Sequence, residues 1–318
     1  MRAFTTIFLA LALFLACGGE TPKESGNENP GNGGGKEEVG GVKPLRPPPP
    51  GEGGAGRGPP PTPEEQALTA IAIKVASNDP EHRMEAIELM YELPDRKQAG
   101  ELAMNMLEDK NEDIRSMAVE AVGQFEYAPA AAGLRKILET DEAALVRKQA
   151  LISLSLVSPS TPVGDYIGRL EKDDESTVRA TAANLLGEAK NPAAIDPLLK
   201  AMGGDMAPAV RLGCVDAIRK MKTKRAVDAV IERLDDANEL VRIEAAKALG
   251  EIGEKKAVPP LIGMLDPDAE SNFLASATKA LCKLTGEKNE YKSDDSDEER
   301  ADVLEEWQAW WEENKAAY

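Results

Sequence analysis

A two-residue signature recurs at a nearly fixed step through the middle of this chain, and no other feature limits its fold so sharply. Ile114-Arg115, Val146-Arg147, Val178-Arg179, Val210-Arg211 and Val241-Arg242 stand 32, 32, 32 and 31 residues apart, each followed by an Ala-rich stretch. One step upstream the register falls on Arg83, before MEAIELMYEL. One step downstream it falls on Leu274, before ASATKALCKLTG, so seven units result. A period in this range means stacked supersecondary units, because a single unit cannot bury its hydrophobic face and closes it only against its neighbours.

Each unit reads as two amphipathic helices. In the fourth, Ser176 to Ala189 place Val178, Ala182, Leu185 and Leu186 on one helical face, then Asn191-Pro192 breaks the chain before a second helix from Ala193 to Met202. Gly123, Gly187 and Gly250 each fall eight residues after their arginine, where a helix is expected to stop, and so read as C-caps. Aspartates stand six residues before each arginine, at Asp109, Asp141, Asp173, Asp205 and Asp236, and Asp268 precedes Leu274 in the same way. A loop carboxylate that caps a helix and pairs with Arg115, Arg147, Arg179, Arg211 or Arg242, of its own or an adjacent unit, forms a structural ladder. Catalytic carboxylates need an environment that occurs once, whereas a feature present in every unit serves the unit.

The segment VRIEAAKALGEIGEKKAVPPLIGMLDPD, from Val241 to Asp268, resembles the short HEAT-type repeat of the phycobilisome-lyase subclass, and the resemblance extends over roughly Glu64 to Gly286. It implies an all-α fold: a HEAT-type α-solenoid of about seven two-helix repeats over residues 62–286, whose VR helices line the concave face. The positions one, two and five after each arginine are then expected on that face, and Met117, Gln149, Ile152, Leu212, Ile243 and Lys247 are candidate partner-binding residues. Exposed apolar side chains amid mixed polar ones suit a protein ligand.

Both ends of the chain differ in character from the repeats. Arg2 followed by the apolar run Phe4 to Ala16 matches a secretory signal peptide (1–16) and is too short to span a membrane. The run ends in Ala16-Cys17-Gly18-Gly19, which resembles the lipobox of bacterial lipoproteins. That resemblance implies lipidation at Cys17 and, with Gly18 following it, an outer-membrane destination. From Gly18 to Pro61, 14 Gly and 10 Pro fill 24 of 44 positions. Too little apolar surface is present to offset chain entropy, so residues 17–61 read as a lipidated cysteine and a disordered linker. Residues 287–318 carry 12 acidic and 4 basic side chains and all three tryptophans. Val303, Leu304, Trp307, Trp310 and Trp311 share one helical face, as a C-terminal capping helix after an acidic loop requires. Asp294, Asp295 and Asp297 lack the glycine and bidentate Glu of a calcium loop.

Composition removes several function classes. A net charge of -18 argues against a nucleic-acid partner, whose affinity rests on phosphate neutralisation. One histidine and three cysteines are too few for a zinc or haem framework, and no nucleophile-elbow, Walker or dinucleotide-binding motif occurs. No cofactor is expected. These features suggest a non-catalytic protein-protein interaction scaffold, exported and held at the cell envelope through its lipid anchor alone, with another envelope protein as partner. The alternative expectation is an enzyme-maturation or lyase-like accessory factor. A third is a spacer with a calcium-sensitive acidic tail.

Overall fold

A computed structural model describes residues 60–157 and 163–318. The signal peptide, Cys17 and the linker up to residue 59 lie outside the described residues. Among the described residues fifteen α-helices follow one another: α1 Pro63–Val75, α2 Pro80–Met90, α3 Arg96–Met104, α4 Glu112–Gln124, α5 Ala131–Thr140, α6 Ala144–Val157, α7 Val163–Lys172 and α8 Ser176–Ala189. Then come α9 Ile195–Gly204, α10 Pro208–Met221, α11 Val227–Ile231, α12 Glu239–Ile252, α13 Val258–Gly263, α14 Ser271–Thr285 and α15 Asp297–Asn314. No strand occurs among the described residues.

Local chemistry sets the ends of these helices. Thr62 and Glu65 form a reciprocal capping box at α1, as do Ser296 and Glu299 at α15. Asn111 and Asn238 cap α4 and α12 through their side-chain oxygens. Gly253 and Gly286 end α12 and α14 in the left-handed region, at φ +83° and +89°.

The even-numbered helices α2 to α14 carry the VR positions and stack side by side, and each also packs on a helix of the second, outer layer. One apolar cluster runs through the stack from Ile71 in α1 to Trp307 in α15. Trp307 is fully buried and its indole N–H donates to the Asn289 carbonyl at 2.6 Å, so α15 seals the last repeat. A small second cluster of Leu274, Tyr291 and Leu304 fixes the acidic loop to the same end.

Gly123, Gly187 and Gly250 do not terminate helices. They lie inside α4, α8 and α12, where a Cβ would stand 2.6 Å from Ser153 Oγ, 2.7 Å from Ala217 Cα and 2.8 Å from Ala280 Cα respectively. Each is therefore the point where one VR helix touches the next. In the outer layer, Gly168, Gly203 and Gly204 face open space. Gly100 of α3 is the outer-layer exception, where a Cβ would stand 2.6 Å from the Tyr127 side chain. At the position of Gly123, Gly187 and Gly250, α6 and α10 carry Ser155 and Arg219, so the tightest junctions alternate along the solenoid.

Candidate partner-binding surface

The aspartate–arginine ladder is what holds the VR helices in step. Arg147 donates from Nε to Asp173 Oδ2 at 3.0 Å and from Nη2 to Oδ1 at 2.7 Å, while Nη1 donates to the carbonyls of Asp141 at 3.0 Å and Glu142 at 3.1 Å. Arg83–Asp109, Arg115–Asp141, Arg179–Asp205 and Arg211–Asp236 repeat this two-pronged pairing. Each arginine thus grips its own loop through carbonyls and the next unit's loop through the carboxylate. Arg83 is a rung that the hydrophobic-Arg dipeptide misses, because His82 precedes it.

Two expectations about the aspartates are corrected. Their carboxylates accept from the backbone N–H two residues on, for example Asn111 at 2.9 Å from Asp109 and Ala207 at 2.9 Å from Asp205, so they order the turn before the helix instead of capping it. Asp268 is exposed and belongs to no rung. The seventh loop is longer, Asp266 takes the turn role by accepting from the Asp268 N–H at 2.7 Å, and Arg242 pairs with Glu270 instead. Burial raises the carboxyls of Asp109, Asp141, Asp173 and Asp236, but their arginine and backbone donors outweigh it and hold all four below the usual carboxylate range. At Asp205 the Arg179 guanidinium is itself the largest influence, in the same direction.

With the helices so fixed, one row of each faces solvent on the VR side. Positions two before and two, five and nine after the arginine are spaced by 4, 3 and 4, which returns to one side of an α-helix. Only Gly213 among these residues is buried. On α2 the row is Glu81, Glu85 and Glu88, continued by Glu92 just past the helix end. On α4 it is Asp113, Met117, Glu120 and Gln124, and on α6 it is Leu145, Gln149, Ile152 and Leu156. On α8 it is polar and mostly uncharged: Thr177, Thr181, Asn184 and Glu188. Beyond it, charges of both signs interlock. Arg219 bridges Asp216, Glu244 at 2.6 Å and Glu251 at 3.1 Å, and Lys220 joins Glu188 and Asp216, both at 2.7 Å. The last row, on α14, ends in Lys279 and Lys283.

The sequence-derived candidates distribute unevenly over this surface. Gln149 and Ile152 are half-buried in the centre of the α6 row and Lys247 is exposed on α12. Met117 and Leu212 are half-buried and lean on the core. Ile243, expected on the surface, is 9% exposed and packs within the core, because the position directly after the arginine turns toward neighbouring helices. Leu145 and Leu156, 53% and 47% exposed, were not among the candidates, and the 4-3-4 spacing about Ile152 is the signal that would have found them. Tyr91 at the end of α2 lies on Phe125, ring centres 4.8 Å apart, and its phenol is pushed up to about 12 by burial and by the charge of Glu120.

No convergent chemistry competes with this surface among the described residues. Cys214 is buried, which pushes its thiol up, and burial raises Cys282 to about 11. His82 Nδ1 lies 3.2 Å from Ser77 Oγ near the start of α2. No group of His, Cys, Asp and Glu could hold a metal ion, and no helix is long and apolar enough to cross a membrane, among the described residues. A cleft of about 790 Å³ between α15 and the loop around Pro267 places Arg300 among Asp268, Asp297 and Glu305 without a nucleophile and base in contact.

The family described as HEAT repeats matches residues 65–155, 166–241, 204–282 and 227–307. No curated protein matches the chain significantly in sequence. Among solved structures it is similar to YibA of Escherichia coli, with a TM-score of 0.56 and 22% identity over 70% of this chain and 82% of that one. It also aligns with the complex of CpcE and CpcF of phycocyanin lyase from a Nostoc species, at TM-score 0.42 and 19% identity, over 65% of this chain and 94% of that one. Human deoxyhypusine hydroxylase aligns at TM-score 0.35 and 19% identity, over 79% of this chain and 97% of that one.

Proposed function

Because the chain belongs to the HEAT-repeat family, we propose that it is a non-catalytic scaffold whose VR face holds a segment of another protein. The observation that carries this reading is the α6 row, where Leu145 and Leu156 are exposed on either side of the half-buried Ile152, the densest apolar stretch of a face whose other rows hold single apolar side chains such as the half-buried Met117 and the exposed Leu240 among polar ones. An apolar strip with no covering element among the described residues loses favourable burial that a partner would restore, at about 25 cal/mol per Å². The stack gives this strip a rigid backing, since every VR helix beneath it is tied to the next by the ladder.

The N-terminal region supports the setting of that role. The signal-like run and Cys17 support reading it as a lipid-anchored protein of the cell envelope, on the outer membrane, with the Gly/Pro-rich segment as the linker between anchor and scaffold. Its partner in this account is another envelope protein. The protein, immobilised and exposed to detergent-solubilised envelope proteins, is expected to retain a partner that an Ile152→Asp/Leu156→Asp variant releases. Retention by both forms would overturn the assignment of the face. Leu212 and Ile243 are left intact in this test because they contribute to the core. Mass spectrometry of the mature N-terminus tests the anchor: a lipid-modified Cys17 is expected, and an unmodified one would refute it.

A further inference from the structure

The VR face is not uniform, and its gradient specifies what kind of segment it takes. Glu81, Glu88 and Glu92 of the first row are exposed and make no ion pair among the described residues, and Glu85 is matched only by Lys74. Over α10 and α12 the situation is opposite, since Arg219 and Lys220 already neutralise the carboxylates around them. Among the described residues the charge over α10 and α12 is thus balanced from within, while that over α2 is left open, with the apolar α6 row between.

We propose that the bound segment is bipartite: two or more Lys or Arg side chains over α2 and α4, joined to an apolar anchor over α6. This rests on the scaffold reading above and adds the chemistry of the partner. Adjacent packed helices lie about 8–10 Å apart, so α2 to α6 is on the order of 20 Å. An extended chain advances about 3.3 Å per residue, which sets the basic residues roughly six positions from the anchor. The basic end points toward the N-terminal end of the solenoid. An acidic segment would meet like charges over α2, and a membrane or nucleic-acid surface, being anionic, is repelled for the same reason.

The test uses the whole protein and labelled synthetic peptides of about twelve residues, read by fluorescence anisotropy. One peptide carries paired lysines and paired leucines about six residues apart, a second has glutamates for the lysines, and a third has serines for the leucines. The first is expected to bind, to weaken about tenfold with Glu88→Gln/Glu92→Gln, and to weaken further as salt rises from about 50 to about 300 mM. The other two are expected to bind at least about tenfold more weakly than the first. Both glutamates are exposed, so the variant should keep the wild-type circular dichroism. If the glutamate peptide binds as well as the lysine peptide, and Leu156→Asp but not the double Gln variant releases it, the charge assignment is overturned while the scaffold reading stands. If no peptide binds, the bipartite segment is overturned, and the capture experiment with the α6 variant separately decides the scaffold. Sedimentation that shows a dimer abolished by the double Gln variant would assign the row to a second copy and overturn the proposal as well.

Discussion

Removing the guanidinium of Arg147 tests the ladder at its most buried rung. The Arg147 and Asp173 side chains are only 8% and 1% exposed. In Arg147→Ala, Asp173 keeps one backbone donor, Glu175 at 3.1 Å, and a looser contact with Arg169 at 3.6 Å, while the carbonyls of Asp141 and Glu142 each lose a donor. Breaking one partner out of a buried pair costs about 3–5 kcal/mol. Arg169 stays close enough to offset part of that, so the lower end, about 3 kcal/mol, is expected. Replacing both partners, as Arg147→Met/Asp173→Leu, leaves no uncompensated charge and should cost clearly less than the single change. Urea unfolding followed by far-UV circular dichroism and by tryptophan fluorescence separates these outcomes. All three tryptophans sit in α15, so fluorescence reports the C-terminal end while circular dichroism reports every unit. Units couple only to their neighbours, and a broken central rung should therefore pull the two curves apart. A single variant that loses less than about 1 kcal/mol with coincident curves would refute a stabilising ladder.

Three further expectations follow from the same geometry. Gly187→Ala should destabilise despite the roughly 1 kcal/mol that alanine gains over glycine in a helix, because its Cβ would lie 2.7 Å from Ala217 Cα. A raised melting temperature would contradict the close approach. The ladder carboxyls are held below their ordinary value of 3.8 in the folded chain, so their contribution is complete above that pH and is lost as pH falls through the lower folded values. Urea midpoints should then be level from about pH 8 to about pH 5 and fall below about pH 4, with a shallower fall in Asp173→Asn. Cys214 should resist thiol reagents at neutral pH until the chain unfolds, as peptide mapping after a timed pulse would show, and prompt labelling would place it outside the core.

The repeat, its two helices and the ladder positions are legible in the sequence because each is enforced in unit after unit, and selection of residue type at a fixed period leaves a visible pattern. What is not legible depends on the neighbour. Gly187 looks like a helix terminator in one dimension, and only the approach of Ala217 from the next unit shows why a side chain is absent there. Asp268 holds the arithmetic position of a rung, yet the longer seventh loop passes the role to Asp266 and sends Arg242 to Glu270. Ile243 and Leu145 are both apolar residues beside a VR arginine. Their places, two before and one after the arginine, lie about 60° apart around the helix, and Ile243 packs against adjacent helices while Leu145 faces solvent. The four glutamates of the first row read as an ordinary solvated helix until the self-paired charges of Arg219 and Lys220 supply the contrast.

Hydrogen exchange on the partner-bound protein is the most direct measurement of the claim that the VR face is the binding surface. Added protection is expected in α2, α4 and α6, on peptides covering residues 81–92, 113–124 and 144–157, with the outer-layer helices α3, α5 and α7 unchanged. Protection centred on the outer layer or on the cleft beside α15, with the VR helices exchanging as in the free protein, would contradict the account.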